Sequence, residues 1–397
     1  MLRTTPPLPR AIWALGFTSL LMDVSSEMIH ALLPVFLVTA LGASALVVGL
    51  IDGAAEALAL VVKVFSGALS DALGRRKPLA VLGYGLGALS KPLFALAGAP
   101  GWVLGARLMD RLGKGIRGAP RDALVADITP PDQRGAAFGL RQSLDTVGAF
   151  LGPLLAIALM LLWANDFRAV FAVAVVPAML SVAVLVWGVQ EPDRPAAAAS
   201  TPRQPPWGRE RLARLPAAYW WVVGLGAVFT LARFSEAFLV LRVQQGGLAL
   251  AWTPLVLVAM NVVYALGAYP LGWLADRVSH DRLLLAGLGL LVAADLALAH
   301  SGSGPIAWAG IVLWGAHLAA TQGLLAAMVA HTAPPDLRGT AYGLYNLASG
   351  GAMLVASVLA GWLWDRHGAS ATFIAGAVFA CAAALGLLLR RPTAAPA

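Results

Sequence analysis

The stretch Arg107 to Asp122, RLMDRLGKGIRGAPRD, carries charges through a segment that the surrounding chain would bury in lipid. On an α-helix turning about 100° per residue, Arg107, Asp110, Arg111, Lys114, Arg117, Arg121 and Asp122 fall within roughly 140° of one face. A charged side chain costs about 2.5–3.5 kcal/mol near the centre of a bilayer, so a stripe of them facing hydrocarbon would prevent insertion. The stripe must face protein or a wet cavity, and the chain must supply enough further spans to enclose it.

The remaining sequence supplies them. Of 397 residues, 59% are hydrophobic and only 12% charged, against roughly 25% charged in an ordinary soluble domain. Apolar stretches long enough to span predict twelve helices, at 11–40, 45–70, 78–98, 101–125, 135–162, 167–189, 217–243, 251–275, 282–300, 305–331, 339–364 and 369–390. The net charge of +8 sits mostly in loops on one side, among them Arg75-Arg76-Lys77, the 121–134 loop and the 190–216 segment. That is the positive-inside pattern rather than a nucleic-acid footprint, and it predicts both termini in the cytoplasm. The first apolar stretch, interrupted by Asp23 and Glu27, is too long for a signal core and reads as a retained span. The single cysteine, Cys381, excludes an intrachain disulfide and is expected to pack in an apolar run.

The Pro-rich, basic segment 191–216 divides the spans six and six, which predicts an N-terminal bundle over 1–190, a cytoplasmic linker over 191–216 and a C-terminal bundle over 217–397. The linker's arginines also allow contact with anionic lipid head groups. An internal repeat supports the division. Pro130 to Leu140, PPDQRGAAFGL, recurs as Pro334 to Leu344, PPDLRGTAYGL, and Gly67 and Asp71 correspond to Gly272 and Asp276 at nearly the same offset. Such parallel repeats place a shared site between two halves near the midplane.

These residues resemble the major facilitator superfamily over essentially the whole chain. Gly67-Ala-Leu-Ser-Asp71-Ala-Leu-Gly74-Arg75-Arg76-Lys77-Pro78 is similar to that family's signature between its second and third helices, and Arg111-Leu-Gly-Lys114-Gly115 to its fourth-helix signature. Gly148-Ala-Phe-Leu-Gly152-Pro153 resembles the fifth-helix packing motif of drug:proton antiporters, with Leu154 and Leu155 where glycines are usual. The resemblance implies an all-α membrane protein of twelve transmembrane helices in two pseudo-symmetric six-helix bundles. It further implies an exporter related to prokaryotic drug:proton antiporters, monomeric and lodged in the bacterial inner membrane. A cytoplasmic gate is implied at Gly67, Asp71, Gly74, Arg75, Arg76 and Arg134, with the repeat partners Asp276 and Arg338.

The residues themselves nominate the site. In the first span, Ser19, Asp23, Ser26, Glu27, His30 and Pro34 share a face, and polar groups inside a span mark a pathway by default. Asp23 and Glu27, with Glu56 about two turns into the second span, are the expected proton-coupling carboxylates. The substrate cavity is expected to use His30, Arg107, Asp110, Arg111, Lys114, Arg141 and Asp145 from the first half. Arg233, Glu236, Asn261, Tyr264, His317, Gln322, Tyr345 and Asn346 are the expected contributors from the second. Arg141 with Asp145, and Arg233 with Glu236, are spaced one helical turn apart and read equally as mutually neutralising pairs. Asp52 is expected near a solvated turn, Trp314 in packing, and Asp295 is an intramembrane acid without an assigned role.

Enzymatic readings have little support, since neither a GxxxxGK[ST] phosphate loop nor an HExxH zinc pair occurs. No cofactor is expected, and the expected partners are a small-molecule substrate, protons and the bilayer. The function expected is proton-coupled export of a small organic molecule by alternating access. Divalent-metal efflux through Asp23, Glu27 and His30, organic-anion uptake and a non-transporting receptor remain open beside it.

Overall fold

The computed structural model of the chain describes residues 8–73, 75–191, 212–275, 277–321 and 323–389, without the side chains at 68, 71, 72 and 336. The regular elements among them are helical. In the first half they are α1 (Arg10–His30), α2 (Ala45–Leu73), α3 (Lys77–Ala95), α4 (Pro100–Ile128), α5 (Arg134–Leu162) and α6 (Phe167–Gly188). In the second they are α7 (Ala217–Ala232), α8 (Ala237–Gln245), α9 (Leu255–Ala275), α10 (His280–His300), α11 (Gly304–Thr321), α12 (Leu324–Thr332), α13 (Arg338–His367) and α14 (Ala369–Leu388).

Among the described residues, ten helical stretches are long and apolar enough to cross a membrane. The lysine-bearing α3 and the charge-striped α4 add two more, in keeping with twelve spans. Where the described elements differ from continuous spans, the backbone has a local reason. The first span turns at Ala31 and Leu32 and continues as a short helix with a wide turn to Ala40, around Pro34, whose ring cannot accept a straight ladder. The seventh is interrupted at 233–236 between α7 and α8. The tenth breaks before α12, which Gly323 opens in the left-handed conformation at φ +79°.

The chain divides into two compact units, Met1–Leu41 with Leu58–Pro202, and Gly42–Ala57 with Arg203–Ala397. Within the first, α1 packs on α5 and α6, while α3 packs on α4 and α6. Within the second, α7 packs on α13 and α14, while α10 packs on α11 and α14. The same neighbour scheme thus occurs twice, which is the packing counterpart of the sequence repeat. Buried hydroxyls join the helices: Ser25 donates to the Ala174 carbonyl at 2.6 Å and Ser181 to that of Thr18 at 2.7 Å across α1 and α6. Tyr219 donates to Ala341 at 3.0 Å across α7 and α13. Such bonds suit a lipid setting, where van der Waals packing and interhelical hydrogen bonds rather than hydrophobicity drive association.

The start of α2 belongs to the second unit, and small residues explain it. A Cβ at Gly49 would lie 2.0 Å from the Ser357 carbonyl oxygen, and one at Gly361 would lie 2.4 Å from that of Ala45, so the α2 and α13 backbones touch. Asp365 then accepts from the Ala45 and Leu46 amides at 3.0 and 2.9 Å, satisfying two free donors at the start of α2. Cys381 is exposed on α14, so its expected packing role is corrected. Trp314, 1% exposed, does pack in the interior. Most of the 191–216 segment lies outside the described residues.

Candidate functional site

In the first unit, the site begins where α1 meets α5. Gly148 and Gly152, one turn apart, remove the side chains that would hold these helices apart. A Cβ at Gly148 would sit 2.7 Å from the Leu20 carbonyl oxygen and 3.0 Å from the Asp23 Cβ. One at Gly152 would sit 2.7 Å from the Glu27 Cβ and 2.8 Å from the Val24 carbonyl oxygen. The motif glycines therefore press α5 against α1 at the two carboxylate positions. His30 Nδ1 stands 3.7 Å from Glu27 Oε2. Pro153 follows Gly152 and is buried in the same helix.

The α4 stripe is largely enclosed: Arg107, Asp110, Arg111 and Arg117 are each under 5% exposed, whereas Lys114 is exposed. Their partners come from α1, α3 and α5. Lys91 of α3, itself 1% exposed, places Nζ 2.7 Å from Asp110 Oδ1 and donates to Ser26 Oγ at 2.9 Å. Arg111 Nε lies 4.0 Å from Asp110 Oδ2. The Arg117 guanidinium stacks over the Tyr84 ring at 4.6 Å, a cation–π contact. Tyr84 hydrogen-bonds Ser19 at 3.0 Å, and Arg121 donates to the same Ser19 hydroxyl at 3.2 Å and to Asp122 at 3.1 Å. Arg141 holds Asp145, one turn along α5, and approaches Asp122 at 3.7 Å. The expected Arg141 and Asp145 pair is present, and it extends into a network.

Lys91 and Tyr84 escaped the sequence reading. The signal was available, because a lysine inside the apolar run of the third span is an intramembrane charge needing a partner. What sequence could not supply was the facing helix, α4, that carries Asp110.

Arg76, at the loop joining α2 and α3, places Nε 2.7 Å from Asp127 Oδ2 near the end of α4. Glu191 accepts from the backbone amides of Arg76 and Lys77, capping α3. Asp127 and Glu191 lie outside the recognised motif, so their part was not expected. Gly67 sits in α2 beside Ala119, Arg75 is exposed, and Arg134 and Arg338 are exposed at the starts of α5 and α13. Gly74, Asp276 and Gln322 and the Asp71 side chain lie outside the described residues.

In the second unit, Asp52 is 4% exposed and accepts from Ser235 Oγ at 2.7 Å, which corrects its expected solvated position. Glu56, one turn further along α2, is half-buried. Arg233 and Glu236 interact electrostatically, but across the break between α7 and α8 rather than along a helix face, a correction to their expected helical spacing. The Arg233 guanidinium lies over the Phe229 ring at 5.7 Å. His317 is fully buried, with Nδ1 2.8 Å from the Gly287 carbonyl oxygen, and its ring lies 5.6 Å from Phe229. Arg233, Phe229 and His317 thus form a second cluster. Asn261 and Asn346 are half-buried. Asp295 is fully buried, and neither carboxyl oxygen has a hydrogen-bond partner among the described residues. No group of three His, Cys, Asp or Glu side chains is arranged for a metal ion among them.

Apolar spans in two similarly packed units, with the buried Lys91–Asp110 pair between helices, define a multi-pass membrane protein of the transporter kind. The chain belongs to the Major Facilitator Superfamily, whose sequence profile matches residues 15–356 and 241–397. It is 32% identical over 390 residues to an uncharacterised transporter of this type from Methanocaldococcus jannaschii, covering 96% of this chain and 95% of that one. An uncharacterised Mycobacterium tuberculosis protein is 30% identical over 396 residues, covering 98% and 94%. The multidrug resistance protein MdtH of Photorhabdus laumondii is 33% identical over 218 residues, 54% of this chain and 52% of that protein. Among solved structures, the nucleoside transporter NupG superposes with a TM-score of 0.79 at 12% identity, covering 95% and 99%. A bacterial homologue of the lysosomal transporter Spinster gives 0.76 at 17%, covering 97% of both chains. At these identities the structural likeness speaks to fold.

Proposed function

We propose that this chain is a proton-coupled secondary transporter that exports a small organic molecule by alternating access between two six-helix halves, 1–190 and 217–397. The observation that carries the reading is the α1–α5 seam, where the motif glycines bring Asp23 and Glu27 against α5 beside the buried cations of α4. Carboxylates in such a setting can exchange a proton for an ion-pair partner, changing which helix contacts are favourable. The partial similarity to MdtH supports a drug-like organic substrate. Asp23 and Glu27 serve as proton carriers, with Glu56 of α2 as a third carboxylate.

In this reading the Arg76–Asp127 pair, with Asp71, Arg75, Arg134, Asp276 and Arg338, forms a cytoplasmic gate. A gate made of ion pairs suits the task because a proton or ligand preferring one state by a few kcal/mol can shift its population. Both termini face the cytoplasm, and the protein works as a monomer in the plasma membrane. A second reading, transport of an organic anion, is favoured by one observation: cations outnumber carboxylates in the buried first-unit network.

The test is transport in proteoliposomes across a panel of organic cations, neutral drugs and organic anions, with and without an imposed proton gradient, and with Glu27→Gln as comparison. Gradient-driven movement of at least one compound class, reduced in the variant, is the expected result. Binding without flux across the panel would point instead to a receptor. Gradient-driven flux unchanged in Glu27→Gln would remove Glu27 from the coupling path. A growth screen of deletion and overexpressing strains against antimicrobials and divalent metals identifies the substrate class independently.

A further inference from the structure

Away from the charged network of the first unit, the second unit brings two histidines together. His280 is the first residue of α10 and His331 stands in the last turn of α12; their ring centres lie 5.7 Å apart, with the ring planes at 64°. His331 is exposed and His280 half-buried, so solvent reaches the pair. Imidazole is the commonest side-chain ligand for transition-metal ions, and the spacing can be tested against that use. A zinc-bound imidazole nitrogen lies about 2.0–2.1 Å from the ion, which places its ring centre about 3.2 Å away. Two rings on one ion at a bond angle of roughly 110–125° then have centres about 5.3–5.8 Å apart. The two rings already stand at that separation.

The surroundings also suit a cation. The last turn of α12 is the negative end of that helix, with His331 beside its terminal carbonyl groups. Asp281 adds a carboxylate in the first turn of α10. Of the nearby cations, Arg277 is stacked over the Trp273 ring, 3.4 Å from its centre, and Arg282 is exposed to solvent, where its charge is screened.

We propose that His280 and His331 form a binding site for one divalent transition-metal ion of the zinc, nickel or copper class. Water completes the coordination, since among the described residues no third His, Cys, Asp or Glu side chain joins the two. Magnesium and calcium, which take oxygen ligands, do not match this donor set. The inference does not depend on the proton-coupled reading above.

The consequence of binding follows from what the two histidines are attached to. The end of α11 is fixed to α10 at Gly287: His317 Nδ1 lies 2.8 Å from the Gly287 carbonyl oxygen, and the Thr321 methyl group fills the space that a Cβ at Gly287 would need. The tenth span then breaks, and from Gly323 α12 runs nine residues, about 13 Å, to its end. Tyr342 of α13 donates to the Ala326 carbonyl at 3.0 Å and holds the first part of α12. An ion on His331 and His280 ties the other end of α12 back to α10. The metal thus clamps the second half of the tenth span at the end remote from its break.

The test uses the full chain in lipid nanodiscs, purified on a tag that contains no histidine. Zinc binding, followed by competition with a fluorescent chelator, is expected to give one site per chain. His280→Ala and His331→Ala should each remove it, and His300→Ala, at the opposite end of α10, should leave it unchanged. His331→Cys supplies another zinc ligand and should restore binding, which separates loss of a ligand from loss of structure. Electron spin resonance of copper(II) on the wild type should show two nitrogen ligands. Hydrogen exchange over residues 324–332 is expected to slow when zinc is added to the wild type and not when it is added to His331→Ala. Absence of zinc binding by the wild type, or binding that survives both alanine variants, would overturn the site. Binding at the two histidines with unchanged exchange over 324–332 would overturn the clamp.

Discussion

Lys91 Nζ lies 2.7 Å from Asp110 Oδ1, with both side chains enclosed between α3 and α4. Breaking a buried pair by removing one member leaves an uncompensated charge, a change that typically costs about 3–5 kcal/mol. Lys91→Ala and Asp110→Ala are each expected to lower stability by about that amount, and Lys91→Met with Asp110→Leu to recover most of it. Tryptophan-monitored unfolding in detergent, read as a double-mutant cycle, checks both statements.

The α1–α5 seam has no room for a methyl group at Gly152. Gly152→Ala would bring a Cβ within 2.7 Å of the Glu27 Cβ, and the helices must separate to accept it. Overpacking of this kind costs about 1–3 kcal/mol. Stability should fall by that range, and transport should fall more than in Gly105→Ala, where a Cβ meets open space. Thermal unfolding and initial transport rates in matched proteoliposomes measure the difference.

Asp365 caps α2 with two amide contacts, so Asp365→Ala leaves the Ala45 and Leu46 donors unpaired. Loss of a cap costs about 0.5–2 kcal/mol. Hydrogen exchange at residues 45–48 should accelerate selectively, while exchange in the middle of α5 should not change.

Asp295 presents the opposite case, a buried acid whose two oxygens lack hydrogen-bond partners among the described residues. Replacing it with the apolar valine removes a desolvation penalty of about 1–3 kcal/mol. Asp295→Val is therefore expected to raise the unfolding midpoint. A lower midpoint would reveal a stabilising interaction for this carboxyl.

The Arg76–Asp127 pair is partly exposed, so its contribution to stability is expected to be small, about 0.5–1 kcal/mol and reduced by salt. Arg76→Ala and Asp127→Ala should therefore change stability little and non-additively. If the pair gates, both variants should alter transport rate to a similar extent, which single-turnover flux measurements can compare.

Much of the architecture was legible in the sequence because lipid imposes a strong rule: backbone groups must be satisfied within each span, so length and hydropathy define helices. The repeat around Pro130 and Pro334 has its counterpart in two similarly packed sets of helices, and the motif resemblance at Gly148 and Gly152 drew attention to positions where α5 lies against α1. The charge stripe correctly demanded burial, since Arg107, Asp110, Arg111 and Arg117 had nowhere else to go at acceptable cost. Side-chain partners were another matter. A charge in one span specifies that a partner is needed but not which helix carries it.

Tertiary structure made those choices. Lys91 reaches Asp110 because α3 packs on α4, Asp127 meets Arg76 because the end of α4 lies beside the α2–α3 loop, and Ser235 reaches Asp52 from the α7–α8 break. Periodicity could not foresee that break, since Arg233-Phe-Ser-Glu236 contains neither proline nor glycine and its helical spacing is ordinary. Sequence by itself determined the membrane class, the spans, the repeat and the need to enclose the α4 charges, because hydropathy and periodicity are local properties. Only the tertiary structure decided which carboxylate answers each cation and which glycine seats Asp23 and Glu27, because those outcomes depend on the rotation and approach of helices far apart in the chain.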